Sequence, residues 1–314
     1  MAQIANSHAT FNSTRNREQV LNKIFNVSVD ETPALALIGK TKCDGVLDEW
    51  ITDSFRAGAS NKVEQGNTAT PVARVDTVRY SNRTQISEDV LSITGTQQKT
   101  EKYGPQDQVE FEVTKAKVAL KKDIEFGFWQ NTTAIAASSG VAPQARGFFG
   151  FVATNISIGG GSGAAPNALT NTAGVDGTQR ALTETLLKDV LKLMFDNGAP
   201  MTNLYSFIPS LQRTIFDGFL AGQTRFDKAE DKTLTATLEV YIGPFGRTKA
   251  VNARHMRTRE IGILDPEYAK LAMLRPMDSK ALGVRGDAIE KLINCEWTVR
   301  ILNEKAHGAI KDLT

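Results

Sequence analysis

An extended, mostly polar stretch in the first third of the chain limits what this sequence can fold into. Residues 74–86 read Arg-Val-Asp-Thr-Val-Arg-Tyr-Ser-Asn-Arg-Thr-Gln-Ile, which is rich in residue types that favour β-strands. Neither alternating face is apolar enough to anchor a core, and a two-stranded ribbon is marginal alone in water. We therefore expect a β-ribbon within residues 48–98 that needs a surface from elsewhere. A second copy of the same chain is the simplest supplier of that surface.

A long amphipathic helix is predicted directly after this stretch. Pro105 suits a first helical position, and Asp107 suits the first turn, where the helix dipole favours negative charge. One face carries apolar residues three and four apart as far as about Thr133, namely Val109, Val113, Ala116, Leu120, Ile124 and Phe128. A helix over about 105–133 would be a rod roughly 40 Å long. Such a length is typical of a spine helix that runs across a domain.

The remainder divides into a glycine-rich segment and an α/β segment. Residues 138–179 are rich in Gly, Ala, Ser and Asn and predict a long loop, tethered at the apolar patch 147–152. Further on, periodicity and capping residues predict helices from Leu182 to Asn197 and from Ser210 to about Leu220. Alternation predicts strands at 204–208, 235–242, 248–252, from 260 onward, and at 293–301.

Charge and cysteine content exclude several classes of protein. The 314 residues carry 37 Lys plus Arg against 35 Asp plus Glu, without the broad positive field of a dedicated nucleic-acid binder. The cysteines, Cys43 and Cys295, are far apart and predict neither a disulfide framework nor a zinc site. Residues 1–16 lack the apolar core of a signal peptide, and no stretch reaches the ~20 apolar residues of a membrane span. We expect a soluble protein made in the cytoplasm.

Two motifs point towards nucleotide chemistry, and both fail in context. Residues 34–41 fit a loosened phosphate-binding loop ending at Lys40, but the leading glycine is absent and Asp44-Gly45 would interrupt the following helix. Residues 159–164 fit a degenerate dinucleotide pattern, yet Pro166 and a run of Asn, Thr and Gly follow where a helix should begin. Ser162 is not a nucleophile elbow because the second glycine is replaced by alanine. We expect no catalytic residue, no cofactor and no metal.

Histidines and charged clusters predict no catalytic or metal site either. None of His8, His255 and His307 has a partner at metal-ligand spacing. Residues 254–259, Arg-His-Met-Arg-Thr-Arg, form a basic cluster for which phosphate is one candidate ligand. A solvated hairpin edge, or a contact with acidic residues of a neighbour, is the favoured interpretation. Asp123 and Glu125 lie two apart on the predicted helix, so they point to different faces and form no catalytic pair.

Several short motifs, taken in order, resemble one family. They are Tyr80–Ile86 with Ser92–Thr96, Tyr103-Gly104 with Lys121–Glu125, Ala145–Gly147 with Phe149-Gly150, Phe245-Gly246 with Asn252–Arg254, and, most specifically, Ile263–Pro266, Leu274–Pro276, Gly286-Asp287 and Asn303–Gly308. In this arrangement the chain, from about Asp48 to its C-terminus, resembles the tailed-phage major head proteins that adopt the Hong Kong 97 phage capsid fold. The glycine-rich stretch near Gly159 and the first thirty residues take no part in the resemblance.

The resemblance implies an α+β fold with a defined series of parts. These are an N-terminal arm, an extended β-ribbon loop, a spine helix in a peripheral domain, and an α/β axial domain. The corresponding ranges are 1–47 for the arm and connector, 48–98 for the extended loop, 99–180 for the peripheral domain with its Gly-rich loop, 181–285 for the mainly axial domain, and 286–314 for a C-terminal strand that returns to the core.

The function implied is that of a major capsid protein, which assembles through hexamers and pentamers into an icosahedral head around phage DNA. The partners would be copies of itself, then scaffolding, portal and decoration proteins, with no membrane and no sequence-specific DNA contact. We expect synthesis in the host cytoplasm and a final place in the virion. Contacts between subunits are predicted at Lys62, Glu64, Arg74, Arg79, Tyr80 and Arg83.

Three alternatives remain open at this point. The first is another phage structural protein, such as a tail-tube or decoration subunit, which would not need the long helix. The second is an enzyme that uses Lys40 or Ser162. The third concerns Lys62, since some capsids of this fold form covalent Lys–Asn cross-links; a solvated loop-tip lysine is the favoured interpretation.

Overall fold

The computed structural model describes residues 31–56, 58–71, 74–220, 240–283 and 286–314. The predicted arm, residues 1–30, and most of the strand predicted at 235–242 lie outside these ranges. The helices are α1 (Pro33–Leu37), α2 (Gly95–Lys99), α3 (Gln108–Gln130), α4 (Glu184–Asp196) and α5 (Ser210–Asp217). The strands are β1 (Gly39–Lys42), β2 (Leu47–Thr52), β3 (Val78–Arg83), β4 (Gln85–Thr94), β5 (Ile156–Ser157), β6 (Leu204–Ile208), β7 (Val240–Gly243), β8 (Gly246–Asn252), β9 (Ile261–Leu264), β10 (Ala269–Ala281), β11 (Ala288–Ile301) and β12 (Gly308–Ile310).

The predicted spine is α3, and its predicted apolar stripe is the face that it buries. The helix begins after Asp107, whose side chain accepts a hydrogen bond from the Glu110 amide at 3.1 Å. That bond lowers the pKa of the Asp107 carboxyl. The prediction of 105–133 was therefore too long at both ends, because Asp107 and Asn131 have extended backbones that cap the helix.

One face of α3 packs on a four-stranded sheet of order β1-β10-β11-β4. Ile93 of β4 and Ile293 of β11 form a buried cluster with Val113 and Leu120 of the helix. Strands β10 and β11 are antiparallel and pair from Ala269 to Ala281, with register shifts between Met273 and Asp278. Strand β10 was predicted to belong mainly to the axial domain, but it lies in the sheet that packs on the spine helix. The domain boundaries themselves stay a prediction.

Strands β3 and β4 correct the expectation that the polar ribbon has no anchor in its own chain. Strand β3 pairs with β2, and β4 pairs with β11 over its whole length. Asn82 is buried, and its side-chain amide donates to the carbonyls of Arg146 (3.0 Å) and Val299 (2.8 Å). Thr84 is also buried and donates to Glu296 at 2.7 Å. Buried hydrogen bonds hold these strands alongside the apolar contacts of Tyr80 and Ile93, and hydrophobic periodicity does not register the hydrogen-bonded anchors.

A second, six-stranded sheet has the order β5-β12-β9-β6-β8-β7. Helix α4 packs on it with the buried side chains Leu187, Val190, Leu191 and Met194. This helix confirms the predicted one: Thr183 caps its start, and Gly198 follows its end at φ +79°, the left-handed conformation that favours glycine. Strand β6 occupies the predicted residues 204–208.

An aromatic cluster joins the two sheets. Trp129, near the end of α3, lies 5.0 Å from Phe207 of β6 and 5.3 Å from Phe148, measured between ring centroids. Phe148 and Phe149 belong to the apolar patch 147–152, which is buried as predicted and tethers the glycine-rich segment. A Cβ at Gly262 of β9 would press on the Trp129 ring, so the close approach at this junction requires glycine.

Candidate functional site

The most exposed segment of the described chain is the loop between β2 and β3, residues 53–77, here called the free loop. Every described residue in it is exposed. Its tip is a turn in which the Asn67 amide donates to the Glu64 carbonyl at 3.2 Å, and Gly66 has φ +84°. Phe55 is 104% exposed, while Val63 and Val75 are 71% and 67% exposed. Each of these side chains would lose contact with water if another molecule lay on the loop, and that loss is favourable for apolar surface.

The six residues predicted as subunit contacts fall into two groups. Lys62, Glu64 and Arg74 are exposed in the free loop. The other three lie in β3, at the root of this loop. Arg79 is exposed and faces Glu49 at 3.7 Å, whereas Tyr80 and Arg83 are partly buried in their own subunit.

The root of the free loop is rigid. Tyr80 stacks on Trp50 of β2 with ring centroids 6.3 Å apart, and Trp50 lies 5.8 Å from Phe151. Burial raises the pKa of the Tyr80 phenol, so its hydroxyl stays protonated near neutral pH. Asp48 of β2 accepts hydrogen bonds from Nε (2.8 Å) and Nη2 of Arg300 in β11. The loop therefore projects from a fixed base.

A second exposed surface, absent from the predicted contacts, is the face of the four-stranded sheet that points away from α3. Ile86, Glu88, Val90 and Ser92 alternate along β4 with residues that face the helix, and all four are exposed. Their β11 partners include Leu292, opposite Val90, and Glu290, opposite Ser92. Directly paired residues share a face. The alternation in residues 86–92 was the available signal, but it was interpreted as part of a ribbon without a core.

The residues of the two nucleotide-like motifs are part of the ordinary packing of the fold. Lys40 lies in strand β1, which follows helix α1, so the strand–loop–helix order of a phosphate-binding loop is reversed. Residues 159–164 run beside 174–178 in a folded-back loop, with the Ala164 and Val175 backbones paired. A Cβ at Gly159 would overlap the carbonyl oxygen of Thr178, so this glycine serves a close approach of two chain segments.

The basic cluster 254–259 is neutralised mainly within its own chain, which corrects the expectation of a solvated edge or a neighbour's acids. Asp176 accepts from Arg257 at 2.6 Å and from Arg259 at 2.7 Å. These contacts lower the pKa of the Asp176 carboxyl, with the Arg257 hydrogen bond as the main cause. Buried Lys311 lies 3.4 Å from buried Glu260, which also pairs with Arg257. The cluster thus fastens the glycine-rich loop to the C-terminal segment.

His307 and Glu125 are fully buried titratable groups. The His307 Nδ1 accepts from the Asp265 amide at 3.3 Å, and complete burial lowers the pKa of this imidazole to about 4. Glu125 accepts from the Ala34 and Leu35 amides, both at 3.3 Å, and burial raises the pKa of its carboxyl. Asp123 stays exposed, which confirms that the two carboxylates on α3 point to different faces.

The described residues contain no group of three or more His, Cys, Asp or Glu side chains arranged to hold a metal ion. None of the helices in the described ranges is both long and apolar enough to cross a membrane. The most prominent features of the surface are the free loop and the open sheet face, and both suit contact with another macromolecule.

Comparisons with known proteins identify one family by sequence and one fold by structure. The sequence model of the SU10 major capsid protein family matches residues 3–314. The capsid of a native GTA particle computed with C5 symmetry aligns with a TM-score of 0.64 at 13% identity, covering 99% of this chain and 100% of that one. The capsid of cyanophage A-1(L) aligns with a TM-score of 0.67 at 13% identity, covering 98% and 100%. Mycobacterium phage Bobi gives a TM-score of 0.60 at 9% identity, covering 95% and 96%.

No curated protein is a detectable match to the sequence. The similarity to solved capsids confirms the predicted fold class, the Hong Kong 97 phage capsid fold. The family match spans nearly the entire chain and carries the predicted function, because its members are the major proteins of phage-type capsids. By this match, the chain belongs to the SU10 major capsid protein family.

Proposed function

We propose that this capsid subunit assembles through pentamers and hexamers of identical copies into a closed head around DNA, with the free loop of each subunit lying on a neighbour. The observation that carries this proposal is the free loop, which exposes Phe55, Val63 and Val75, and no described part of its own subunit buries any of them. Covering these side chains by a neighbour would remove apolar surface from water.

The rigid root supports this role physically. A loop of this length can extend roughly 40 Å from its root, since each residue of an extended chain spans about 3.3 Å. The paired strands β2 and β3, held by Asp48 and Arg300, fix the direction in which it leaves. Head-to-tail contacts of this kind generate closed rings when the rotation between subunits closes.

Many weak contacts suit the assembly of a shell. Each interface can then form and dissociate while errors are corrected, and the sum of the interfaces stabilises the finished particle. Lys62, Glu64 and Arg74 are proposed as contacts of the loop with a neighbour. Arg79 is proposed to contribute from the exposed root, whereas Tyr80 and Arg83 are proposed to act mainly by holding that root in place.

The proposed role is structural, without catalysis, cofactor or metal. Two observations support this. Helix α1 precedes strand β1 at Lys40, and the glycines around Ser162 pack against other chain segments, so both segments serve the packing of the fold. Scaffolding, portal and decoration proteins are proposed as further partners, with synthesis in the host cytoplasm before assembly.

Deletion of residues 58–70 tests the proposal. The subunit alone, or with a co-expressed scaffold, is purified and particles are imaged by electron microscopy. We expect closed shells from the wild type, and a folded subunit that forms no shells from the deletion variant. A matched variant replaces 58–70 by Gly and Ser at the same length, and it separates the loss of side chains from the loss of reach.

Two results would contradict the proposal. Normal shells from the deletion variant would show that the loop is not needed to join subunits. Wild-type protein that forms only tubes or small rings would favour the tail-tube or decoration alternative.

A further inference from the structure

A buried lysine, Lys311, faces a buried glutamate, Glu260, beside the six-stranded sheet. Strands β12 and β9 are antiparallel, with Ile310 paired to Ile261. The next residues, Lys311 and Glu260, therefore stand opposite each other where this ladder ends. Their side chains belong to residues that are 4% and 3% exposed, and Lys311 Nζ lies 3.4 Å from Oε1 of Glu260. Among the described residues Lys311 is the only buried lysine.

The backbone holds the lysine in this position. The Lys311 amide donates to the Ser157 carbonyl at 2.9 Å. Asp312, which follows it, has φ +60°, and its carboxylate accepts a hydrogen bond from the Gly159 amide at 2.9 Å. A left-handed conformation at a residue other than glycine persists only where the surroundings fix it. Lys311 is thus held on both sides, and its amine stays near the glutamate.

Two further groups complete the cluster. Arg257 Nη1 donates to the same Oε1 atom of Glu260 at 3.1 Å, so a guanidinium lies where it would stabilise negative charge on that oxygen. Asp176 Oδ1 lies 3.7 Å from Lys311 Nζ, and the other oxygen of Asp176 accepts from Arg257 and Arg259. The hydrogen bond from Arg257 is the main cause of the lowered pKa of the Asp176 carboxyl. This carboxylate therefore stays ionised and able to accept a proton.

Burial changes the chemical form of the pair. Removal from water raises the pKa of the Glu260 carboxyl, in spite of the attraction from Lys311 and Arg257. A dry site thus favours the neutral pair, which arises when one proton passes from the ammonium to the carboxylate. A neutral amine is a nucleophile, and a neutral carboxyl group is open to attack. Both reactive forms are therefore present in contact with each other.

We propose that Lys311 and Glu260 form an isopeptide bond within each chain. Lys311 Nζ attacks Cδ of Glu260, and Arg257 stabilises the charge that develops on Oε1. Asp176 takes one proton from Nζ and passes it to the Oε2 hydroxyl. The Cδ–Oε2 bond then breaks, and this oxygen leaves as water. No oxidant, cofactor or second molecule is needed, and the reaction occurs once in each chain, without turnover.

Proximity and the exclusion of water favour the bond. Groups held in a productive orientation react as if each were present at roughly 10⁵ M or more. A site closed to solvent also releases the water that is formed and slows the reverse hydrolysis. The bond would close residues 260–311 into a covalent loop that contains β9, β10, β11 and β12. It would tie the start of β9 to the end of β12, and the inference is independent of the proposed function.

Mass spectrometry of the full-length subunit in denaturant tests this. We expect the wild type to weigh one water molecule less than its sequence, and its tryptic digest to contain residues 260–270 joined to residues 306–314. Lys311→Arg retains the positive charge without a nucleophilic amine, so it should have the full mass and no joined peptide. Lys305→Arg, at an exposed lysine, is the matched control and should keep the link.

Asp176→Asn tests the proton transfer. The amide oxygen of asparagine still accepts hydrogen bonds from the two arginines, but it cannot carry a proton. We expect the link to form about a hundredfold more slowly in pulse-labelled chains, a typical loss for a general base. Resistance of residues 159–178 to proteolysis should stay at the wild-type level, which separates this role from a structural one. Asp189→Asn, at an exposed site on α4, should change neither.

Two results would overturn the inference. Wild-type protein of full mass, in which trypsin cleaves after Lys311, would show that the lysine and the glutamate form an ordinary ion pair. Loss of water without the joined peptides would place the reaction elsewhere in the chain. The joined peptides of the wild type decide the question even if Lys311→Arg fails to fold.

Discussion

Asp48 and Arg300 form a two-point contact that ties the root of the free loop to the last long strand of the protein. Both Nε and Nη2 of the guanidinium donate to the carboxylate, whose side chain is only 7% exposed. The pair raises the pKa of Arg300, with the Asp48 hydrogen bond as the main cause. Paired donors of this geometry fix direction as well as distance. The contact therefore sets the angle at which the loop leaves the subunit.

Asp48→Asn should lower the free energy of unfolding by about 2–3 kcal/mol, because it leaves the arginine without its anion at a largely buried site. Chemical denaturation of the unassembled subunit measures this. Lys42→Ala is the matched control, since it breaks a pair with Asp44 whose side chains are 81% and 84% exposed. We expect the control to leave stability nearly unchanged, because solvent screens an ion pair as exposed as this one. Equal effects of the two substitutions would count against the Asp48 contact as a structural anchor.

Gly159→Ala should destabilise the glycine-rich loop, because the added methyl overlaps the Thr178 carbonyl and the two segments must separate. Overpacking of this kind costs about 1–3 kcal/mol. Limited proteolysis or hydrogen exchange over residues 159–178 reports it. Gly160→Ala, next to it in sequence, meets nothing within 4 Å and should behave as the wild type. Unchanged protection in Gly159→Ala would show that the approach is looser than described.

Stability should fall as the pH falls from about 6.5 towards 4 because of His307. The unfolded chain binds a proton near the ordinary pKa of 6.5, whereas the buried imidazole does so only at about 4. Protons therefore favour the unfolded state throughout this window, and the loss reaches about 3 kcal/mol at its lower end. His307→Asn, which retains an acceptor for the Asp265 amide, should flatten this part of the pH profile. A wild-type and variant profile of the same slope would exclude His307 as the cause.

Glu125→Ala should destabilise the junction of α1 and α3. It removes the acceptor of the Ala34 and Leu35 amides, and each buried amide without a partner costs about 1–3 kcal/mol. We expect faster hydrogen exchange at these two amides and a lower melting temperature. Asp123→Ala, two residues earlier on the exposed side of α3, serves as the control and should leave both unchanged. Equal exchange in the two variants would contradict the assigned contact.

Periodic elements were predictable from the sequence because each buries one face and exposes the other. The stripe of α3, the capped helix α4 and the strand β6 were confirmed within a few residues of the predicted bounds. The free loop was predictable only as a wider ribbon, residues 48–98. Nothing local in the sequence marks where polar strands cease to be held by their own chain, near Thr52 and Val78.

The family and the spine helix follow from the sequence alone, because they depend on motifs and on local periodicity. The subunit contacts at Lys62, Glu64 and Arg74 stay predictions. Three features emerge only in the folded chain: Asn82 and Thr84 are buried, Asp176 neutralises Arg257 and Arg259, and Val90 and Leu292 share an open face. Each of these depends on residues that lie far apart in the chain. A polar group is buried where a partner satisfies its hydrogen bonds. Here that partner is distant in the sequence, and only folding brings the two together.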